Sequence, residues 1–306
     1  MKIALLFYGY MRQYKLCYKN ILKQLNIEHD DIDIFIYTSK HNHLKLLNFR
    51  PVKWENIENN TKQVFQNYFG DSLKDVMFKE DDDNYKKITT NKFLNMKKYY
   101  LDFIKNNLDY LKNIQNHNFK RIKDYVNLNN VNLNNHFKTK PWIFRQTDQF
   151  INLFLCSNLF HKYNENRQIK YDFVIQMRPD VIFPNKLDIK KHLDDIKKDK
   201  LLAIPGIDYF YISNQKINKK ISEIYKHYGL IEKNGLIHKT YFSPEAQSSN
   251  FLKNNFEIIK FRLRTNYLRY FKNISLRDNI YKEYENECEK IYKKKMKNMQ
   301  QPILHL

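Results

Sequence analysis

Ile3-Ala4-Leu5-Leu6-Phe7-Tyr8, followed by Gly9-Tyr10-Met11-Arg12, is the stretch on which the fold turns. The first part is apolar on both alternating faces, as a strand buried on both sides of a parallel sheet must be. Gly9 to Arg12 reads as a turn. From about Tyr14 to Leu25, the residues Tyr18, Ile21, Leu22 and Leu25 fall on one helical stripe. Ile32-Asp33-Ile34-Phe35-Ile36-Tyr37 is a second strand, ending in Thr38-Ser39. Strand, helix and strand at this spacing predict a right-handed βαβ unit, and with it an α/β protein built on a mostly parallel sheet flanked by helices.

Further along, the chain changes character from about Trp54 to Lys140. This stretch is rich in Asn, Lys and Tyr. It carries an acidic run from Glu80 to Asp83 and a tandem repeat, Val126-Asn127-Leu128-Asn129-Asn130 followed by Val131-Asn132-Leu133-Asn134-Asn135. It reads as a helical, low-complexity insertion lying outside the sheet. Regular structure resumes at Pro141-Trp142 with a helix from about Phe144 to Tyr163. That helix leads into a third strong strand, Tyr171-Asp172-Phe173-Val174-Ile175-Gln176-Met177. Leu201 to Ile204 and Asp208 to Ile212 read as short strands, and Ile217 to Tyr228 and Pro244 to Asn254 as helices. The expected organisation is an α/β core of residues 1–53 and 141–260, an insertion at 54–140, and a basic helical segment at 261–306.

Composition narrows the function. The chain has 306 residues, 42% of them hydrophobic and 15% aromatic, which is ample for a folded core and excludes wholesale disorder. Its five glycines, at 9, 70, 206, 229 and 235, spell neither G-x-G-x-x-G nor G-x-x-x-x-G-K-[ST]. Dinucleotide-binding and P-loop fingerprints are therefore absent. The formal charge of +21 fits a polyanionic partner, nucleic acid among them. It also fits an AT-rich genome, viral or parasitic, in which Lys, Asn, Ile and Tyr rise together; the even spread of Lys along the chain favours this second explanation. Cys17, Cys156 and Cys288 lack metal-knuckle spacing and point to a reducing compartment. No stretch approaches the length of a membrane span, so the expectation is a soluble protein of the cytoplasm, or of the host cytoplasm if viral.

Ligands of parallel α/β sheets sit beyond the carboxyl ends of the strands. Those positions here are Gly9 to Arg12, Thr38-Ser39, Arg178-Pro179-Asp180 and Asp208. Gly9 lets a ligand approach the backbone, and Arg12, just before a helix, adds a charged fork for an anion. Pro179 fixes the backbone between Arg178 and Asp180. Asp180 then either accepts a divalent cation or pairs with Arg178, while Arg178 either meets phosphate or braces the loop. Glu245 follows Ser243-Pro244, a helix-start pattern that accounts for an acid there as readily as a general base does. Arg262, Arg264 and Arg269 are helically spaced and form either a phosphate clamp or a solvated basic face. His41-Asn42-His43 is expected to be a loop, and Asp81-Asp82-Asp83 a solvated acidic run away from any strand end.

Taken together, Gly-x-x-Arg after the first strand, Asp-Ile-Phe-Ile-Tyr-Thr at 33–38 and Tyr-Asp-Phe-Val-Ile-x-x-Arg-Pro-Asp-x-x-Phe at 171–183 resemble a family of GT-A-like glycosyltransferases found in bacteria and large DNA viruses. The resemblance covers Ile3 to Ser39 and about Gln149 to Asn254. It implies a Rossmann-like sheet, a nucleotide-sugar donor, a glycan or protein acceptor, and often Mn²⁺ or Mg²⁺ held through an Asp-x-Asp motif. Gly9 and Arg12 match the donor-side turn, and Asp180 matches the acidic strand-end position. It follows Arg-Pro here, however, with no second Asp two places away, so Arg178 is placed to neutralise the diphosphate without a cation. Glu245 or Asp208 would take the acceptor's proton. A basic nucleic-acid-binding protein, or an inactive scaffold of the same fold, are the competing expectations.

Overall fold

The computed structural model describes residues 1–11, 14–44, 55–92, 142–183, 186–203, 210–227, 244–260 and 266–267. Its spine is β1 (Ile3–Tyr8), in which every residue is buried. β1 pairs in parallel with β2 (Ile32–Thr38) on one side and with β6 (Phe173–Met177) on the other. β2 in turn pairs in parallel with β5 (Leu73–Phe78). Beyond β6 the sheet continues through β9 (Phe210–Ser213), β8 (Leu201–Ala203) and β10 (Ile258–Lys260), in the order β10-β8-β9-β6-β1-β2-β5. β9 is antiparallel to both its neighbours, while β8 and β10 are parallel to each other. One strand of seven is therefore reversed, and the sheet is mixed but mostly parallel, compatible with a Rossmann-like α/β fold.

Alternation along the strands builds two cores. Ile3, Leu5 and Phe7 of β1 share one face with Ile34 and Ile36 of β2, and with Phe173, Ile175 and Met177 of β6. That face is covered by α1 (Tyr14–Leu25) through Tyr14, Tyr18, Ile21 and Leu25, and by α2 (Lys62–Phe69) through Phe65 and Phe69. The Tyr18 and Phe69 rings meet edge to face, 5.1 Å between centroids. Ala4, Leu6 and Tyr8 face the other way. There they meet a long helix, α4 (Trp142–Glu165), with α6 (Gln215–Ser222) and Leu252 of α8 (Pro244–Asn255) beside it. Residues 83–92 form α3; α5 (Leu193–Lys197) and α7 (Ile224–His227) are short. Strands without a polar face thus end up with helices on both sides. At the amino edge of the sheet, buried Asp33 is held by Lys2 at 2.8 Å, Lys74 at 3.4 Å and the Tyr171 hydroxyl at 2.7 Å.

Two expectations change. The sheet takes in β5, and α2 packs on it, although both lie inside the stretch expected to be an insertion from residue 54. β5 is an edge strand with only Leu73 and Val76 buried, so Lys74 and Asp75 interrupt the apolar run that identifies a central strand. His41–Leu44, expected to be a loop, is β3, paired antiparallel with β4 (Glu55–Asn59) around a register shift at Asn42/His43. The tandem repeat and residues 268–306 lie outside the described residues. No helix among the described residues is long and apolar enough to cross a membrane.

The segment after Arg178-Pro179-Asp180 is fixed from below. β7 (Val181–Ile182) pairs with β11 (Asn266–Tyr267), and the fully buried Asn20 of α1 clamps Phe183. Its amide nitrogen donates to the Phe183 carbonyl at 3.1 Å, and its oxygen accepts from the Phe183 N–H at 2.7 Å. Replacing Asn20 by Ala strands two buried backbone groups and should cost about 2–4 kcal/mol. Urea unfolding, read as a midpoint shift at constant m-value, checks this; a loss below about 0.5 kcal/mol would show that the clamp contributes nothing.

Candidate functional site at the carboxyl edge of the sheet

β5, β2, β1 and β6 run in the same direction, so their carboxyl ends line one edge in that order. From β1 the chain moves outward through β2 to β5, and it later returns to β6 on the opposite side of β1. The sheet's topological switch point therefore falls between β1 and β6, where open α/β sheets form their ligand crevice. Gly9 and Arg178 are the first residues past the two strands at that point.

Gly9 has φ +94°, a conformation that disfavours side chains, and its N–H donates to the Tyr37 carbonyl at 3.0 Å. A Cβ built on it would meet nothing within 4 Å. Glycine is thus required by the backbone, and among the described residues nothing fills the space above it. Across the switch point, Arg178 grips Asp180 with a two-pronged fork: Nε to Oδ1 at 3.1 Å and Nη2 to Oδ2 at 2.7 Å. Asp180 is 1% exposed. Pro179 between them removes a rotatable bond and a donor, which sets the spacing for this fork.

At the end of β2, Thr38 and Ser39 are buried and stitched to β5 and its successor. The Lys79 N–H donates to the Thr38 carbonyl at 2.8 Å, and the Asn60 amide donates to the Ser39 carbonyl at 2.8 Å. The Ser39 hydroxyl donates to Glu80, whose other oxygen accepts from the Lys40 N–H at 3.0 Å. The acidic run therefore follows a strand end directly, and it is not uniformly solvated. Asp83 is exposed and pairs with Lys86 at 2.9 Å, and Asp81 pairs with Lys40 at 2.6 Å. Asp82, in contrast, is buried: it accepts from the Tyr37 hydroxyl at 2.8 Å and from the Asn84 N–H at 2.9 Å, capping the start of α3. Burial, reinforced by the hydrogen bond to Asp82, pushes the Tyr37 phenol far above its ordinary pKa, so it remains a donor.

Lys79 was not singled out by its sequence context, a lysine among many in a polar stretch. Its side chain spans β2 and reaches β1. Nζ donates to the Tyr10 hydroxyl at 3.3 Å, and it lies 4.7 Å from the Tyr10 ring centroid and 5.9 Å from that of Tyr85. Tyr85 itself is hydrogen-bonded to Asp148, near the start of the described side chains of α4. Burial alone would lower the Lys79 pKa, but the Tyr10 oxygen and the charges of Asp148 and Glu80 outweigh it and raise the pKa, so the group is a cation at neutral pH.

Gly9, Thr38, Ser39, Arg178 and Asp180 are thus gathered on one edge, as expected. Arg12, Asp208 and Arg262 lie outside the described residues. Glu245 stands in the first turn of α8. The chain just beyond the far end of that helix is tied to the amino edge, where the Leu201 N–H donates to the Glu257 carbonyl at 2.9 Å. Cys17 and Cys156 are buried, and burial pushes the Cys156 thiol upward in pKa, which disfavours its thiolate. Among the described residues no group of three or more His, Cys, Asp or Glu is placed to hold a metal ion. Compared with protein-family models, curated proteins and solved structures, the chain matches none.

Removing Arg178 leaves a deeply buried carboxylate without its fork. Arg178→Ala should lower stability by about 3–5 kcal/mol, and Arg178→Lys by less, because one charged contact survives. Denaturant unfolding of the two variants gives the comparison. Equal stability of wild type and Arg178→Ala would mean that the fork does not brace the loop.

Proposed function

We propose that this protein is a glycosyltransferase, moving a sugar from a nucleoside-diphosphate sugar to a hydroxyl of a glycan or protein acceptor. The observation that carries this is the convergence of Gly9 and the Arg178–Asp180 fork on either side of the β1/β6 switch point. An open glycine turn admits a phosphate group close to the backbone, and a fixed arginine beside it supplies positive charge. The likeness of the 3–39 and 171–183 segments to GT-A-like transferases narrows the ligand to a nucleotide sugar.

In the reaction the acceptor oxygen forms a bond to the anomeric carbon as the bond from that carbon to the diphosphate oxygen breaks. The diphosphate departs with the electron pair and so gains one negative charge, which preorganised cations stabilise. Arg178 is placed for this, with Arg12 and Arg262 as further donor-side candidates and Thr38 and Ser39 shaping the turn beside them. A carboxylate takes the proton of the acceptor hydroxyl, a role for Glu245 or Asp208. The described residues fit a Mn²⁺ or Mg²⁺ ion poorly. Both oxygens of Asp180 accept from Arg178, and no second acid joins it to make a metal-holding group among the described residues. No step is therefore routed through a metal.

The basic charge keeps a nucleic-acid partner in view, and the described residues present no exposed aromatic stacking platform for it. Every Phe and Tyr whose side chain is described is at least partly buried, and Val64 is the large apolar side chain that stands exposed.

A thermal-shift screen of UDP-, GDP- and CMP-sugars, with and without Mn²⁺ at moderate salt, tests the proposal. One donor should raise the melting temperature by mass action, by about 2.7 kcal/mol of stabilisation at a hundredfold excess over Kd. The effect should vanish in Asp180→Ala, provided its circular dichroism stays native. Stabilisation by single-stranded oligonucleotides and by no nucleotide sugar would replace the transferase with a nucleic-acid binder.

A further inference from the structure

Two partly buried lysines lack an ion pair among the described residues, Lys92 and Lys79; burial lowers the pKa of Lys92 to about 8 and its ammonium donates to the Lys226 carbonyl at 2.8 Å, whereas Lys79 is held as a cation. At the amino edge Lys2 and Lys74 share Asp33, and near the end of α5 Lys200 lies 3.2 Å from Asp195 and 2.8 Å from Glu257. Lys79 has no ion-pair partner among the described residues, although Glu80 and Asp148 are near enough to raise its affinity for the proton. Of its three donors one is used, in a long bond to a phenol oxygen. Two tyrosine rings frame the head group and restrict where it can point. Charges withdrawn from water are paired in folded proteins as a rule, so an ammonium with no carboxylate in contact among the described residues, on which Asp148 and Glu80 act only from a distance, can take a further anion as counter-ion.

Its position says where that counter-ion sits. Lys79 begins at the end of β5, yet its head group reaches Tyr10, the residue after Gly9 at the end of β1. Arg178 stands past the end of β6, the neighbour of β1 on the other side. Two cations thus flank the open turn of Gly9. We infer that Lys79 is an anion-binding residue of this edge, its ammonium taking a phosphate oxygen of a nucleoside diphosphate, with Arg178 on the far side of β1 and with no divalent cation required. The nucleoside part of this inference rests on the proposed function; the anion site does not.

Calorimetric titration of the full chain with UDP, GDP and inorganic pyrophosphate, in EDTA, separates the two. Lys79→Met removes the charge at similar length, Lys79→Gln is a polar alternative should the first fail to fold, and Lys79→Arg restores the charge. Unliganded Lys79→Met should keep a native circular dichroism spectrum and melt somewhat below wild type, because the raised pKa of Lys79 marks a charge that the fold favours. Wild type should bind one nucleoside diphosphate; Lys79→Met or Lys79→Gln should bind it about tenfold more weakly or worse, and Lys79→Arg within about threefold. Equal affinity in wild type and the neutral variants overturns the inference while leaving the nucleotide-sugar reading intact. Binding of nucleotide only when Mn²⁺ is added does the same. If wild type ignores both nucleotides but binds pyrophosphate, and Lys79→Met does not, the anion site stands and the transferase reading falls. Binding of none of the three overturns the inference.

Discussion

The rest of the structure depends on a strand that cannot be an edge. β1 is buried along its whole length, on both faces and between two parallel neighbours. Parallel neighbours need crossovers, and the chain supplies one set on each side of β1. That requirement creates the switch point between β1 and β6, and it sets the carboxyl ends of β5, β2, β1 and β6 side by side on one edge. Gly9 belongs to the same constraint. The chain must leave a filled central strand while its N–H still bonds to β2, and the backbone does so at a positive φ that glycine alone adopts cheaply.

Around that turn the sheet holds its charges unequally at its two edges. The amino edge is closed: Asp33 is surrounded by two lysines and a tyrosine and has the look of a brace. The carboxyl edge is arranged differently. Arg178 is preorganised by Asp180, Tyr37 is kept protonated by burial and Asp82, and Lys79 is held as a cation without an ion pair among the described residues.

Much of this architecture could be read from the chain. β1 is an uninterrupted apolar run, and β2 and β6 are nearly so, interrupted by Asp33 and Gln176; strand ends follow from them, which is why Gly9, Thr38, Ser39, Arg178 and Asp180 were legible. The Arg-Pro-Asp spacing also announced the fork, although the sequence left open whether Arg178 would face Asp180 or a phosphate. β5 was not legible, because this edge strand buries only Leu73 and Val76, three apart across a register shift, and Lys74 and Asp75 break its pattern. Once β5 is hidden its carboxyl end is hidden too, and with it Lys79, Glu80 and Asp82. Their local signal is a lysine and acids in a polar stretch, indistinguishable from a solvated run until the register of β5 against β2 is known. Asp82 is recognisable only through Tyr37, which lies far from it in sequence and opposite it in space.

The central claim is that ligand binding takes place at the carboxyl ends of β5, β2, β1 and β6. Hydrogen–deuterium exchange of the full chain, with and without a nucleotide sugar at saturating concentration, tests it most directly. Protection concentrated in residues 9–11, 38–40, 79–82 and 178–181, with little change at the amino edge around Lys2, Asp33 and Tyr171, is the predicted result. Protection that spares these four segments while the ligand is demonstrably bound would place the site elsewhere and contradict the account.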